Sequence, residues 1–409
     1  MIGSSISSGD GISAIALILL TLQLPAVMVL LSRLFKGPGR RRPLRPLAAE
    51  NEPVEKGPAS LKGAVSIVVP TLNEAQRITP CLQGLTRQTE EVREIVVVDS
   101  RSTDGTPELV KAAQANDPRF SLLTDDPLPP GWVGRPWALH YGYTHSSPES
   151  KWVLGIDADT QPQPGLVAAL ISAAETEGYD LVSLSPQFIL KTPGEVWLQP
   201  ALLMTLVYRF GPAGADEEAE RVMANGQCFL CRRELLDRLG GYTIAKSSFC
   251  DDVTLARYAA KSGAKVGFWD GAFLLKVRMY EGLQETWTEW GRSLDLKDAS
   301  SPGQIWSDLW FLASVQALPW LSLPILLWAA PSPSVQLALG LNTGLIAIRF
   351  ALQLAVSSSY DLSQAQGKWL FWLSPLADPL AVMRIGLSSF HTPTSWRGRQ
   401  YDLGHIPSN

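Results

Sequence analysis

The chain has 409 residues and a formal net charge of −4. That length holds one large domain, or two ordinary ones with membrane segments, and the mild acidity leaves no global basic field for nucleic acid. Its four cysteines, Cys81, Cys228, Cys231 and Cys250, make no disulfide framework, which suits a reducing compartment.

Ile12 to Ser32 carries no charge and matches the roughly 20 residues that span a bilayer. A cleaved signal peptide is disfavoured, because Arg33, Lys36, Arg40, Arg41, Arg42 and Arg45 all follow the run and no basic residue precedes it. By the positive-inside tendency these charges hold the next domain in the cytoplasm. Residues 1–36 are therefore expected to form a transmembrane helix, and 37–60, rich in Pro, Gly and charge, a linker.

Residues 61–300 read as a soluble α/β domain. Val65 to Val69, Glu94 to Val98, Trp152 to Ile156 and Leu181 to Leu184 are strand-like, with helical stretches such as Pro107 to Ala115 and Gly165 to Glu177 between them. That alternation predicts a mainly parallel sheet with helices on both faces. Phe229-Leu230 separates Cys228 from Cys231 in what reads as a buried strand, so a core role outranks a metal or redox role for this pair.

After residue 300 the character changes. Trp306 to Ala330 and Val335 to Val356 are each long enough to span. Trp369 to Phe390 is interrupted by Pro375, Asp378, Pro379 and Arg384, which is costly in lipid, so a re-entrant, cavity-lining or tilted interfacial segment is expected there. Residues 301–392 thus form transmembrane or interfacial helices and 393–409 a tail. Two spans leave its basic Trp396-Arg397-Gly398-Arg399 in the cytoplasm, which the charge favours; three put it outside. Many of the 14 tryptophans lie after residue 286, as amphipathic rings at a membrane–water interface do.

The residues that carry chemistry sit at strand ends. In parallel α/β sheets ligands bind beyond the carboxyl ends of the strands. Pro70-Thr71-Leu72-Asn73-Glu74 and Asp99-Ser100-Arg101-Ser102-Thr103-Asp104 follow the first two strands, and Asp157-Ala158-Asp159 follows the third. Asp157 and Asp159 could share one hard divalent cation, which would hold a nucleotide diphosphate. Asp99 could accept a proton of a base, and Glu74 and Asp104 could hold a base or ribose edge. Each loop alone suits an ordinary polar turn; their joint order does not. Neither has a dinucleotide or P-loop glycine pattern. Gly131-Trp132-Val133-Gly134-Arg135 permits a tight loop, with Arg135 either clamping a phosphate or serving the loop itself. Asn225-Gly226-Gln227 precedes a strand, and Asp251-Asp252 opens a helix, as caps or as a source of a general base.

Taken together, P-T-L-N-E, V-V-D-S-R-S-T-D-G-T, G-R-P-W-A, D-A-D, N-G-Q-C-F-L-C-R-R-E and D-D-V-T-L-A-R resemble family-2 glycosyltransferases over roughly residues 64–300. The resemblance implies a GT-A fold: a Rossmann-like, nucleotide-sugar-binding cytoplasmic domain, here with transmembrane helices at both ends. It implies Mg2+ or Mn2+ held by Asp157 and Asp159, with Asp157 also near the ribose or sugar. It implies nucleotide-sugar contacts from Pro70, Thr71, Glu74, Asp99 and Asp104, and a base at Asp252, with Asp251 standing where the family has Glu. The Q-x-x-R-W motif of processive members is absent from Glu285 to Ser293, which disfavours a polysaccharide synthase. Arg292, Trp290 and Gln227 are candidate diphosphate or acceptor contacts, although an interfacial helix carrying Trp287 and Trp290 is the preferred reading of that segment.

Arg278-Met279-Tyr280-Glu281-Gly282 with Glu285-x-Trp287 resembles membrane glycosyltransferases that decorate carotenoids. The stretch Pro127 to Leu139, P-L-P-P-G-W-V-G-R-P-W-A-L, also resembles hopanoid-associated and ceramide-type glucosyltransferases. The expectation is an inverting hexosyltransferase in an inner, cytoplasmic or thylakoid-type membrane, taking a UDP- or GDP-sugar donor. Its acceptor would be a hydroxyl of a lipid-embedded molecule, first a carotenoid, otherwise a hopanoid, ceramide or diacylglycerol. The apolar Ala201 to Phe210 could line an acceptor entrance, dip into the membrane surface, or be a buried helix.

Overall fold

A computed structural model describes residues 8–47, 61–215, 218–290, 296–390, 395–396 and 399–400. The chain forms two compact units: Arg40–Ile189 and Ala213–Met279 with the C-terminal residues, and Met1–Gly39, Leu190–Pro212 and Tyr280–Thr392. Helix Pro193–Phe210 leaves the α/β unit because its long apolar stretch, with Leu198, Leu202, Met204 and Phe210 buried, packs with the other apolar helices. Of the three readings of Ala201 to Phe210, the buried helix is the one observed.

The α/β unit is built on a seven-stranded sheet. Its strands are β1 (Val65–Thr71), β2 (Val92–Asp99), β3 (Phe120–Thr124), β4 (Trp152–Ile156), β6 (Leu181–Ser185), β8 (Cys228–Arg232) and β9 (Val266–Asp270). A second set comprises β5 (Thr160–Pro162), β7 (Gln187–Ile189) and β10 (Leu275–Val277), with β10 antiparallel to β5 and parallel to β7. Every residue of β1 and β4 is buried, as expected of β-branched and aliphatic runs covered by helices on both faces. Val65, Ile67, Val69, Ile95, Val97, Trp152 and Leu154 join one core with the helices Ile78–Thr86 and Leu166–Glu177.

The sheet order is β3-β2-β1-β4-β8-β6-β9. The first four strands run parallel, so their carboxyl ends share one edge. β8 runs antiparallel to both β4 and β6, with Cys228 opposite Ile156. That reversal brings the residues before β8 to the same edge, beside Asp157. Cys228 and Cys231 are fully buried free thiols on one strand. Three positions apart on a strand they point to opposite faces, which fits the core reading and not a chelating pair.

In the other unit, four helical stretches are long and apolar enough to cross a membrane: Gly11–Gly39, Pro302–Trp328, Pro333–Ala355 and Leu370–Ser389. Their polarity is inverted relative to a water-soluble bundle. Gln23, Asn342, Arg349, Gln353 and Asp378 are buried, whereas Leu17, Ile18, Met28, Leu327 and Trp328 face outward. Lipid selects this arrangement, because polar side chains must find partners inside the protein. Leu370–Ser389 meets the length and composition of a span despite its prolines and charges. A 3-10 turn at Ser374–Ala377 absorbs Pro375, and Asp378 and Arg384 both have partners within this unit.

Candidate active site

Two loops at the sheet edge are bound to each other. Thr71 Oγ1 donates to Asp99 Oδ1 at 3.1 Å, and the Ser102 amide donates to Asp99 Oδ2 at 2.9 Å. Asn73 and Arg101 take left-handed backbone conformations, with φ of 55° and 65°, so the two chains turn sharply and interlock. The Asn73 amide donates to Ser102 Oγ, and Asn73 Oδ1 accepts from the Thr103 amide. Asp104 receives the Ala75 amide on Oδ2 and the amide and hydroxyl of Thr106 on Oδ1. Burial pushes the Asp104 carboxyl up, but these bonds outweigh it and hold the group below the usual carboxylate range. Asp99 and Asp104 thus tie the loops together in this structure, with Pro70 and Thr71 ending β1 and Glu74 on the loop that follows.

The sequence reading passed over Asp125 and Asp126. They follow β3, a short strand with only two consecutive aliphatic residues, and reach the same edge. Ser100 Oγ donates to Asp125 Oδ2 at 2.9 Å, Trp137 Nε1 donates to the Asp125 carbonyl at 2.7 Å, and Arg101 pairs with Asp126.

Further along the edge, Arg135 lies in the first turn of the helix Gly134–His145. Its Nε and Nη2 donate to Asp157 Oδ1 at 3.0 and 2.8 Å, Nη2 also donates to the Gly226 carbonyl at 2.8 Å, and Nη1 donates to Asp251. Asp251 and Asp252 open the helix Asp251–Lys261. Asp252 Oδ2 accepts the Gly226 amide at 2.6 Å and Oδ1 accepts the Val253 amide at 2.8 Å. Burial pushes Asp251 up to about 7; Arg135 opposes that shift, and the neighbouring Asp252 and Asp157 charges add to it. Asp252 is also raised, again chiefly by burial, with Arg135 opposing. Gln227 is buried beside Asp157, its carbonyl 3.4 Å from the Asp157 amide and its side chain turned to Asn225.

Asp157 and Asp159 lie in the turn between β4 and β5, both partly exposed. Among the described residues no group of three His, Cys, Asp or Glu side chains is arranged to hold a metal. The protein would therefore supply two carboxylates, with phosphate oxygens and water completing the shell. Mg2+ is commonly bound in that way, so the residues fit a hard divalent cation.

The two remaining expected contacts are Trp290 and Arg292. Trp290 belongs to the helical unit, where it is 2% exposed and lies 5.8 Å from the Tyr280 ring centroid to centroid. This burial corrects the reading of Trp290 as a ring at the bilayer surface; Trp287 is partly exposed, with Arg384 donating to its carbonyl at 2.6 Å. Arg292 lies outside the described residues.

Residues 66–240 match the sequence family described as Glycosyl transferase family 2. The chain carries a family-2 glycosyltransferase domain. The 4,4'-diaponeurosporenoate glycosyltransferase of Staphylococcus haemolyticus is 22% identical over 265 residues, covering 64% of this chain and 70% of that protein. The namesake from Staphylococcus aureus is 26% identical over 232 residues, covering 55% of this chain and 60% of that protein. Among solved structures, a mannosyltransferase from Pyrobaculum calidifontis in complex with GDP-Man and Mn2+ superposes with a TM-score of 0.50. It is 20% identical, and the match covers 90% of this chain and 98% of that one. The glycosyltransferase domain therefore has the GT-A-like α/β fold, and helices able to cross a membrane stand at both ends of the chain.

Proposed function

We propose that this chain transfers a hexosyl group from a nucleotide-diphosphate sugar to an oxygen of a membrane-embedded acceptor, with inversion at the anomeric carbon. One observation carries the reading. Asp157, at the end of β4, and Asp251, beside Asp252, are gathered by the single guanidinium of Arg135. The carboxylates we assign to the donor and acceptor sides are thus bridged by one side chain, which supports a single compact reaction centre.

Asp157 and Asp159 would hold a divalent cation. When bound, it would neutralise charge on the leaving diphosphate. The loops tied by Asp99 and Asp104 would seat the nucleotide, with Pro70, Thr71 and Glu74 along its edge. Asp252 would take the proton from an acceptor hydroxyl. Burial raises its pKa, the direction that makes a carboxylate a stronger base.

The helices with outward apolar faces support an acceptor drawn from lipid, and the carotenoid glycosyltransferases among the relatives support a carotenoid ahead of a hopanoid, ceramide or diacylglycerol. The relatives' named acceptor is a carboxylate. It supports a second reading in which the attacking oxygen is already ionised and Asp252 orients it without taking a proton.

The test is purified full-length protein with UDP- and GDP-hexoses and membrane lipid extract. The expected result is a glycosylated, lipid-soluble product of inverted configuration, abolished by EDTA and restored by Mg2+ or Mn2+. A retained configuration, or transfer indifferent to chelation, overturns the scheme. Mass spectrometry of lipids and pigments from a strain lacking the gene then identifies the acceptor. A missing glycosylated carotenoid supports the first choice; a missing glycolipid with carotenoids intact replaces it.

A further inference from the structure

We infer that Arg135 is a positioning residue for this transfer rather than a phosphate ligand: it fixes the base-bearing helix relative to the carboxylate that ends β4. The inference rests on the transferase reading above and deepens it.

A guanidinium has five N–H donors. Four contacts already engage Arg135: Nε and Nη2 to Asp157 Oδ1, Nη2 to the Gly226 carbonyl, and Nη1 to Asp251. The side chain is 14% exposed, so little of it is offered to a ligand. A clamp for a diphosphate would turn its fork toward the open edge of the sheet, but this fork is filled by protein acceptors on three separate segments.

Gly226 shows that the arrangement is built around the arginine. A Cβ at this position would lie 2.3 Å from Arg135 Nη2 and 2.7 Å from Cζ. Its backbone also links two charged groups. The carbonyl receives Arg135 at 2.8 Å, while the amide donates to Asp252 Oδ2 at 2.6 Å. Asp252 is therefore aimed by the amide of the same glycine whose carbonyl Arg135 holds. The path runs from Asp157 through the guanidinium and the Gly226 backbone, carbonyl to amide, to Asp252. A second path reaches the same helix directly through Asp251. Lysine could neutralise one of these carboxylates, but a point charge cannot meet all three acceptors in fixed directions.

The experiment uses the full chain in detergent, with Arg135→Lys, Arg135→Ala and Gly226→Ala beside Asp252→Asn. The donor KM, kcat and melting temperature are measured, and Mn2+ affinity is followed by electron paramagnetic resonance. Displaced reacting groups lose on the order of 100-fold in rate. The expected result is therefore a kcat loss of about that size in Arg135→Lys and Arg135→Ala, with donor KM within about threefold of the parent. Gly226→Ala should show the same split, although every charge remains. Added guanidinium ion should restore part of the kcat of Arg135→Ala and none of that of Gly226→Ala. A phosphate clamp gives the opposite: donor KM rises at least about tenfold in the Arg135 variants and in Gly226→Ala, with kcat largely kept.

Mn2+ affinity separates this inference from the broader one. If the parent and Asp252→Asn are equally inactive, the transferase reading fails on its own. The Arg135 link is then judged by Mn2+, which should bind several-fold more tightly once the guanidinium no longer occupies Asp157. Unchanged Mn2+ affinity together with an unchanged melting temperature in Arg135→Ala overturns the positioning role.

Discussion

The two units each carry an arginine–aspartate network, and the networks differ in balance. In the helical unit, Arg349 meets Asp378 through Nε at 2.7 Å and Nη2 at 3.1 Å, while Nη1 donates to Gln353 at 2.7 Å. Both side chains of the pair are almost fully buried, at 2% and 0% exposure, and Gln353 passes the network on to the Phe371 carbonyl at 3.0 Å. One cation meets one anion in a two-pronged fit, which is the geometry that makes a desolvated pair tolerable. In the α/β unit a single guanidinium serves Asp157 and Asp251 and feels Asp252 as well. That cluster is short of positive charge and partly open at Asp157. A balanced pair closes a structure; an unbalanced cluster is ready to receive a proton or a cation.

The largest effect should come from the unbalanced side. Asp252→Asn removes the base while leaving an amide of similar shape. Activity on a hydroxyl acceptor should fall by about 10^2–10^4-fold, the usual contribution of a positioned general base. The melting temperature should change little, because relief of one of two crowded carboxylates is offset by the lost acceptor for either the Gly226 or the Val253 amide. Parent-like turnover on a hydroxyl acceptor would break the comparison. Retained turnover on a carboxylate acceptor alone would instead favour the second reading of the acceptor.

The balanced side should answer in stability. Asp378→Leu leaves Arg349 buried and unpaired, which costs about 3–5 kcal/mol, whereas Asp378→Leu with Arg349→Met should recover most of that loss. Thermal unfolding in detergent reads both. If the single variant melts like the parent, the pair is not the closed structural contact described here. If the double variant keeps stability but loses transfer, the pair has a functional part as well.

Sequence reading reached the interior of the α/β unit because its central strands are runs of β-branched and aliphatic residues. Val65–Thr71 and Trp152–Ile156 are buried along their whole length and could be read directly. β3 was harder to see, since an edge strand has one side without a partner and tolerates the mixed burial of Phe120–Thr124. Helix Pro193–Phe210 looked like part of the same domain because chain order hides which core a buried apolar helix joins. At the site, Asp157 and Asp251-Asp252 stood out through their places at a strand end and a helix start. The bridge between them did not, because Arg135 reaches residues 22, 91 and 116 positions away. Asp99 and Asp104 read as ligand contacts because their partners on the other loop, the Thr71 hydroxyl and the Ala75 amide, lie 28 and 29 positions away. Asp378 looked like a break in a span because Arg349, its partner, sits in a run that otherwise reads as plain apolar helix.

The smallest expected effect lies in a neutral network of the helical unit, where hydrogen bonds replace charge. Gln23 Nε2 donates to Asn342 Oδ1 at 2.8 Å, and Asn342 Nδ2 returns a bond to Gln23 Oε1 at 3.1 Å. Gln23 also donates to the Ser314 carbonyl, and Ser322 donates to Asn342. Both amides are fully buried, in helices that lie far apart in the sequence. Polar contacts between such helices contribute about 0.6 kcal/mol on average and about 1.7 at most, because each amide finds other partners when the helices separate. Asn342→Ala and Gln23→Ala should each destabilise by an amount in that range, and the double variant by less than their sum. A double-mutant cycle on thermal unfolding measures the difference. A coupling near zero would mean that the reciprocal pair only satisfies buried groups. A coupling comparable with that of Arg349 and Asp378 would mean that hydrogen-bond geometry, rather than charge, holds these helices together.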